Sequence, residues 1–495
     1  MDEMESKMTE EKKKRRIIKQ IFKWLGLGLV VALIMGALIY DAPWKVLAFL
    51  LIILAACTIL PKPAKKWFGL SVAAVVIILI IWVFLPDETK GWRPFTFDEE
   101  LDALKAKYAV PDSENAAIAY NKLFESLDID SNQPKFFAKE NPSSRDGPWL
   151  SKDHPETAEW LKGHQKTIGT LLEISRIEKC RFPITANLMD LESGKRLSKM
   201  RSCIYLLISA ANNDVAEGRI DTGLEKYLCT IQLSKHLHQQ STLIDFMLSL
   251  ATENLALIQL NRFMVENKPG KEQLQLIANS LKDLANNWGS DFKRRLEYEK
   301  LLCKNMLPFW YEINKKGKIR LSRNPAAASE LSGQTFPPPS YWKRKLAKAS
   351  TIDGWFFAPS TPQKAGKIID EIYEKYYTMS KPDFDWSKKP PEVKPQIKLN
   401  YRFLIESLIY TQGNIYYTIH ERYLDHLARR RGSRLLAAIS QHKIENNAWP
   451  ANLDAVKSLA PAESLIDPVC GKQLEYENHG KHFSLYGETV NIWPR

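Results

Sequence analysis

No glycine-rich phosphate loop, dinucleotide fingerprint or Gly-x-Ser-x-Gly elbow occurs in the 495 residues, so nucleotide binding and elbow-type serine hydrolysis have no local signature. CxxC pairs and Cys/His clusters are also missing, as are zinc-finger spacing, a basic heptad zipper and an aromatic-basic RNA-reading pattern. Cysteine is scarce. Cys57 lies in an apolar run, and Cys180, Cys203, Cys229, Cys303 and Cys470 make an odd five at wide spacings. Most fall in apolar helical contexts, which suits buried free thiols, with a disulfide left open if the compartment oxidises. No metal or cofactor is expected.

The histidines offer little more. HExxH puts two imidazoles on one helical face, whereas "HERYLDH" separates His420 and His426 by six residues, about 120 degrees out of alignment. His236 and His238 point to different sides of a helix. "KDHPETAEW" holds Asp153, His154 and Glu156 and reads as helix capping around Pro155. Ser433 in "RRRGSRL" has no elbow, and carboxylate pairs such as Asp98 and Glu99 are too common in helices to signal acid-base work. No residue is therefore assigned a catalytic, cofactor-binding or metal-ligating role.

What the chain does contain begins with three long apolar runs. Trp24 to Tyr40, Val46 to Leu60 and Trp67 to Leu85 carry no charge, and Trp24, Tyr40, Trp44, Trp67 and Trp82 stand near their ends. The middle run reaches only about 22 Å, short of a roughly 30 Å hydrocarbon core unless its flanks join it. Three such runs do not fit a cleaved signal peptide. Lys12, Lys13, Lys14, Arg15, Arg16, Lys19 and Lys23 precede the first run, and Lys62, Lys65 and Lys66 fill the second loop. Positive-inside logic puts the N-terminus in the cytoplasm and the soluble body outside; a re-entrant second run would reverse this. The net charge of +13 then reads as a solvated or lipid-facing surface, and nucleic acid is not the expected partner.

The soluble part is expected to be mainly α. From Asp98 to Ile129 two helices are broken at Pro111 and Asp112, with Ser113 able to cap the second and Glu114 in its first turn. Asn141 to Trp149 reads as a loop. Helical periodicity resumes at His154 and runs with breaks to about Leu307. Within it, one helix passes through Leu206 to Ala216, Gly218 to Asp221 form a turn, and Leu224, Leu228, Ile231 and Leu233 lie on or near one face of the next. This hairpin resembles a tetratricopeptide-type unit over about forty residues, although no 34-residue period recurs. A further capped helix closes at Lys268, Pro269 and Gly270. Between Asn314 and Asn400 the text turns basic and proline-rich, interrupted by one helix over "QKAGKIIDEIYEKYY".

A long helix from near Leu399 ends at Asn446 and Asn447, whose side chains tolerate the left-handed conformation. Trp449 folds back, Pro450 sends the chain out extended, and Asn452 caps a short helix with Leu453, Val456 and Leu459 facing inward. Asp467, Pro468 and Gly471 make a turn; Leu474 and Tyr476, then Phe483 and Leu485, alternate as a β-hairpin. On Trp449, Pro450, Leu453, Asp467, Pro468, Gly471 and Tyr476 this tail resembles the C-terminal module of type II secretion major pseudopilins. It also resembles the tails of a group of uncharacterised, membrane-anchored helical bacterial envelope proteins. Those pseudopilins carry a Gly-Phe-Thr-Leu-x-Glu start and a single hydrophobic helix, both absent here, so assembly as a pilus subunit is not implied.

The expected organisation is a polar cytoplasmic start (1–16), a three-helix transmembrane anchor (17–85), a repeat-like helical body (86–313), a basic Pro-rich insertion with one helix (314–398) and a long helix with the pseudopilin-like module (399–495). The structural residues of that module are Trp449, Pro450, Leu453, Asp467, Pro468, Gly471, Tyr476 and Phe483. The expected function is non-enzymatic: a multi-pass protein of the bacterial inner membrane whose extracytoplasmic body acts as a scaffold or protein-binding platform. Its expected partners are the lipid bilayer and an envelope protein. The alternatives are an envelope hydrolase whose residues meet only on folding, or an accessory component of a pseudopilin-type secretion system.

Overall fold

The computed structural model describes residues 89–92, 96–129, 132–137, 143–185, 191–281, 288–307, 311–314, 319–321, 362–387 and 412–493. The chain divides into two compact units, 1–86 and 87–495. The three apolar runs, and with them the expected spans, lie outside the described residues. All described elements belong to the second unit, which is mainly helical.

Its first helix, α1 (Asp98–Lys107), sets Asp98, Glu99 and Glu100 in the first turn and Lys105 and Lys107 in the last, matching the helix dipole at both ends. A 3₁₀ turn at Asp112–Glu114 leads to α2 (Ala116–Ser126). The expected cap at Ser113 is displaced to Asn115. Its extended backbone lets Oδ1 accept from the Ala117 amide at 3.1 Å. The same side chain accepts from Arg181 N at 2.8 Å and donates to Arg181 O at 2.9 Å, so tertiary pairing selects the capping residue.

The expected loop at 141–149 contains a helical turn, α3 (Ser143–Asp146). Arg145 fixes it, buried with Nη1 donating to Phe137 O at 3.1 Å and its guanidinium over the Tyr205 ring. Then follow α4 (Pro155–Gly163), α5 (Gln165–Ser175), α6 (Leu191–Ala216), α7 (Ile220–His238), α8 (Leu243–Glu266), α9 (Lys271–Ser280) and α10 (Trp288–Met306). The helix expected in the Pro-rich stretch is α11 (Pro362–Tyr377), and α12 (Gln412–Asn446) is the long helix before the tail. Residues 399–411, where it was expected to begin, lie outside the described set.

Two apolar cores share α6 and α7. Tyr120, Leu171, Leu207 and Leu233 belong to the one built with α2 and α5. Ile208, Ala211, Tyr227, Leu260, Leu436 and Ile439 belong to the other, built with α8, α9, α12 and the tail. A helix packed on opposite sides is buried nearly all round, as α6 is over residues 202–215, whereas its first half stays charged. A third layer is aromatic, with Phe292, Tyr373, Tyr376 and Tyr416 joining α10, α11 and α12.

Among the described residues, α8 is the one helix long and apolar enough to cross a membrane. Its apolar window is 56% buried inside the body, and it packs between α7 and α12. With Asp245 and Glu253 both buried on it, α8 is a core helix.

Two antiparallel sheets accompany the helices. In the first, β1 (Thr89–Trp92) pairs with β2 (Tyr311–Asn314), which pairs with β3 (Ile319–Leu321). No alternation in the sequence announced it: β2 ends at Asn314, where the text turns basic and proline-rich, and β3 lies just inside that stretch. The second contains β4 (Glu475–Asn478), β5 (Phe483–Tyr486) and β6 (Asn491–Trp493). The expected hairpin is thus the first two strands of a three-stranded sheet, whose last strand packs on α8 and α12.

Candidate binding surface

The hairpin α6–α7 is the frame on which the open surfaces are built. Gly218 turns it with φ of +78°, in the region that favours glycine. α7 starts at Ile220, so Asp221, read as part of the turn, lies in the first helical turn. At Gly223 the helices approach so closely that a Cβ would come within 2.6 Å of Val215 Cγ2 and 3.1 Å of Ala211 O.

The hairpin is then locked by charge. Asp214 on α6 accepts from the buried Lys226 of α7 and, at 2.8 Å, from Arg219 Nε. Arg219 Nη2 reaches Asn213 Oδ1 at 3.1 Å, while Asn213 Nδ2 donates to Trp149 O at 3.2 Å and Ser151 Oγ at 3.0 Å. A buried ion pair of this kind is costly to break because the survivor is left uncompensated.

This network floors a polar groove of about 720 Å³ between α4 and the hairpin. Its lining holds four cations, Lys152, Lys162, Arg219 and Lys226, against two carboxylates, Glu159 and Asp214. On another side of α7 a second groove, of about 570 Å³, opens between α5 and α9. There Leu172, Leu224, Leu228 and Leu276 supply an apolar floor, and Asp221, Glu225 and Glu272 stand with only Arg176 among the charged lining. α7 thus separates a basic polar groove from an acidic apolar one. A third depression, of about 620 Å³, lies between α1, α10 and the end of α11, lined by a mixture that includes Lys107, Glu297, Lys300 and Tyr377. Two of its lysines are paired, Lys107 with Glu297 at 2.7 Å and Lys300 with Asp370 at 3.3 Å.

The histidines weighed from the sequence are distributed through the body as structural partners. His154 stacks on Phe136 with ring centroids 3.4 Å apart and supplies no side-chain cap, so the helix start is favoured instead by Pro155 at N1 and by Glu156 in the first turn. His236 Nδ1 lies 3.0 Å from Tyr120 OH and its Nε2 2.7 Å from Ile177 O, a neutral ring with both nitrogens satisfied. Burial pushes His236 down to about 4. Burial likewise lowers His238 to about 4, and its Nε2 donates to Asp291 at 2.8 Å.

His420 and His426 do not converge. His420 lies flat on Trp386, centroids 3.7 Å apart, and burial lowers it to about 4. His426 meets Glu253 of α8 at 2.9 Å, and Arg430 clasps the same carboxylate at 2.6 and 2.7 Å. Burial alone would raise the Glu253 carboxyl, but Arg430 and His426 overcome it and hold the group well below the usual range. Among the described residues no group of three His, Cys, Asp or Glu side chains is placed to hold a metal ion. Five cysteines there are free, with Cys180, Cys203 and Cys229 buried.

The tail residues singled out from the sequence meet in two places. Asn447 takes φ of +53° and ends α12. Trp449 packs on Phe483 with ring centroids 4.6 Å apart, and its Nε1 donates to Lys481 O at 3.2 Å. Tyr476 OH donates to Pro450 O at 2.9 Å, and Leu453 is buried in the same core. Asp467, Pro468 and Gly471 form a separate turn in which Gly471 N donates to Asp467 O at 2.8 Å. The buried Asp467 carboxylate also accepts from Val469 N and Glu488 N, both at 2.8 Å, tying this turn to the β5–β6 connection. The bond from Glu488 N, like the pairings of Asp214 with Lys226 and of Glu253 with Arg430, had no local signal, since each partner lies on another element. No family model, curated protein or solved structure matches this chain.

Proposed function

We propose that this chain is a non-enzymatic, multi-pass membrane protein whose helical body is an extracytoplasmic scaffold, binding a protein partner of the cell envelope. The anchor and its orientation rest on the three uncharged runs and the basic residues flanking them. The pseudopilin-like corner at Trp449, Pro450 and Phe483 and the tetratricopeptide-like hairpin belong to the same reading. The observation that carries it is the pair of open grooves flanking α7, differing in charge and polarity. Concave surfaces on a rigid helical hairpin suit recognition of another chain.

The test is a photo-activatable amino acid introduced singly at Glu272, Lys162 and, as a control, Glu125, in cells producing the full chain. Discrete adducts from either groove position and none from Glu125 are expected. If both groove positions yield nothing while the protein is present at its normal level, the platform reading fails.

A second reading, an envelope hydrolase, draws on one observation. His426 and Glu253 meet beside a depression of about 300 Å³ that Arg422, Asp425 and Arg429 also line. Against it, Nε2 of His426 is committed to Glu253 and Nδ1 is closed from solvent, leaving no nitrogen free to take a substrate proton.

A further inference from the structure

We infer that the acidic apolar groove between α5, α7 and α9 takes an amphipathic helix of a partner protein, its apolar face against the leucines and basic residues at its edges. The inference rests on the platform reading and names the partner class of one of its grooves.

Leu276 begins the argument. α9 buries Leu274 and Ile277 against the core shared with α12, but Leu276 lies off that stripe and is 52% exposed. Across the groove Leu172 of α5 and Leu228 of α7 are half-buried, with Leu224 beneath them. Three leucines on three different helices therefore offer partly uncovered apolar surface to one trough, the form in which a helix is received along an i, i+3, i+4, i+7 stripe.

Charge then decides the sign of the occupant. The lining carries three carboxylates against one guanidinium, in a chain whose net charge is +13. Asp221 is held by Gln273, a neutral partner, and Arg176 approaches Glu225 only to 3.9 Å. Glu272 and Glu225 are exposed at the rim. Local charge opposed to that of the whole chain excludes acidic segments and steers basic ones. A strand would need an open sheet edge, and the groove walls are helices.

The experiment uses the full chain in zwitterionic nanodiscs and a fluorescein-labelled synthetic helix with leucine at i, i+3, i+4 and i+7 and lysine elsewhere. A peptide of the same composition scrambled to destroy the stripe, and one with glutamate replacing lysine, serve as comparisons. Saturable polarisation is expected for the first peptide only. Leu276→Glu should weaken it at least about 10-fold, as loss of an anchor does. Glu225→Lys with Glu272→Lys should weaken it similarly and flatten its salt dependence. Both variants change exposed side chains, and circular dichroism confirms their folding. Equal binding to wild type and variants, or preference for the scrambled or acidic peptide, overturns the inference. If the basic helix fails to bind while adducts from Glu272 persist, the platform reading stands and this partner class falls; if both fail, both fall.

Discussion

Glu299 lies on α10, one turn before Cys303, close to Tyr373 and Tyr416 in the aromatic layer. Burial lifts its carboxyl to about 7, against the Leu243 amide that donates to it. The unfolded value is about 4.3, so the folded state holds this proton more tightly, and the stability it confers is complete below that value and lost as pH rises through 7. The buried histidines work the other way. His236 and His238 sit near 4 when folded and about 6.5 when unfolded, so their contribution is present above 6.5 and lost as pH falls toward 4. Glu299→Gln should therefore raise the stability of the body by on the order of 2 kcal/mol at pH 8.5 and leave it nearly unchanged at pH 4.5. Denaturant unfolding at the two pH values measures this. An equal effect at both would show that the carboxyl does not titrate in the window assigned to it.

Between elements, the join of α8 to α12 depends on a carboxylate shared by two groups. Glu253, His426 and Arg430 are all nearly fully buried, so losing the Glu253 charge leaves the Arg430 guanidinium without compensation. Glu253→Gln should cost about 3–5 kcal/mol. Glu253→Gln with Arg430→Met should cost less than the two singles added, because the stranded guanidinium is removed. A double-mutant cycle in urea tests this, and strict additivity would deny that the two groups act as a pair. This join also shows how much could be read from the sequence. Periodicity located α6, α7, α11 and α12, and the Trp449-Pro450 corner followed from turn chemistry, because those signals are local. The Glu253 carboxylate could not be foreseen, since α8 is otherwise a long apolar run and Arg430 lies 177 residues away. Likewise Asn115 displaced Ser113 as a cap through its pairing with Arg181, and β1 found β2 more than 200 residues along the chain. The grooves beside α7 were equally hidden, as each draws its lining from helices that meet only on folding.

For the whole molecule the compartment of the body decides which partners can reach those grooves. Lys and Arg cluster before the first apolar run and between the second and third, and three crossings would then carry residues from 86 onward outside. An extracytoplasmic body must tolerate an oxidising environment with five free cysteines. Burial helps, pushing the Cys180 and Cys229 thiols up to about 12 and suppressing the thiolate through which thiols oxidise and exchange. Alkaline phosphatase and a fluorescent protein fused in parallel after Arg495 test the orientation. Phosphatase activity without fluorescence is expected, and it would direct the search for a basic helical partner to the envelope. Fluorescence without phosphatase activity would mean an even number of crossings. The short Val46–Leu60 run would then be re-entrant, and cytosolic partners, nucleic acid included, would become the ones to test against the basic groove of Lys152, Lys162 and Arg219.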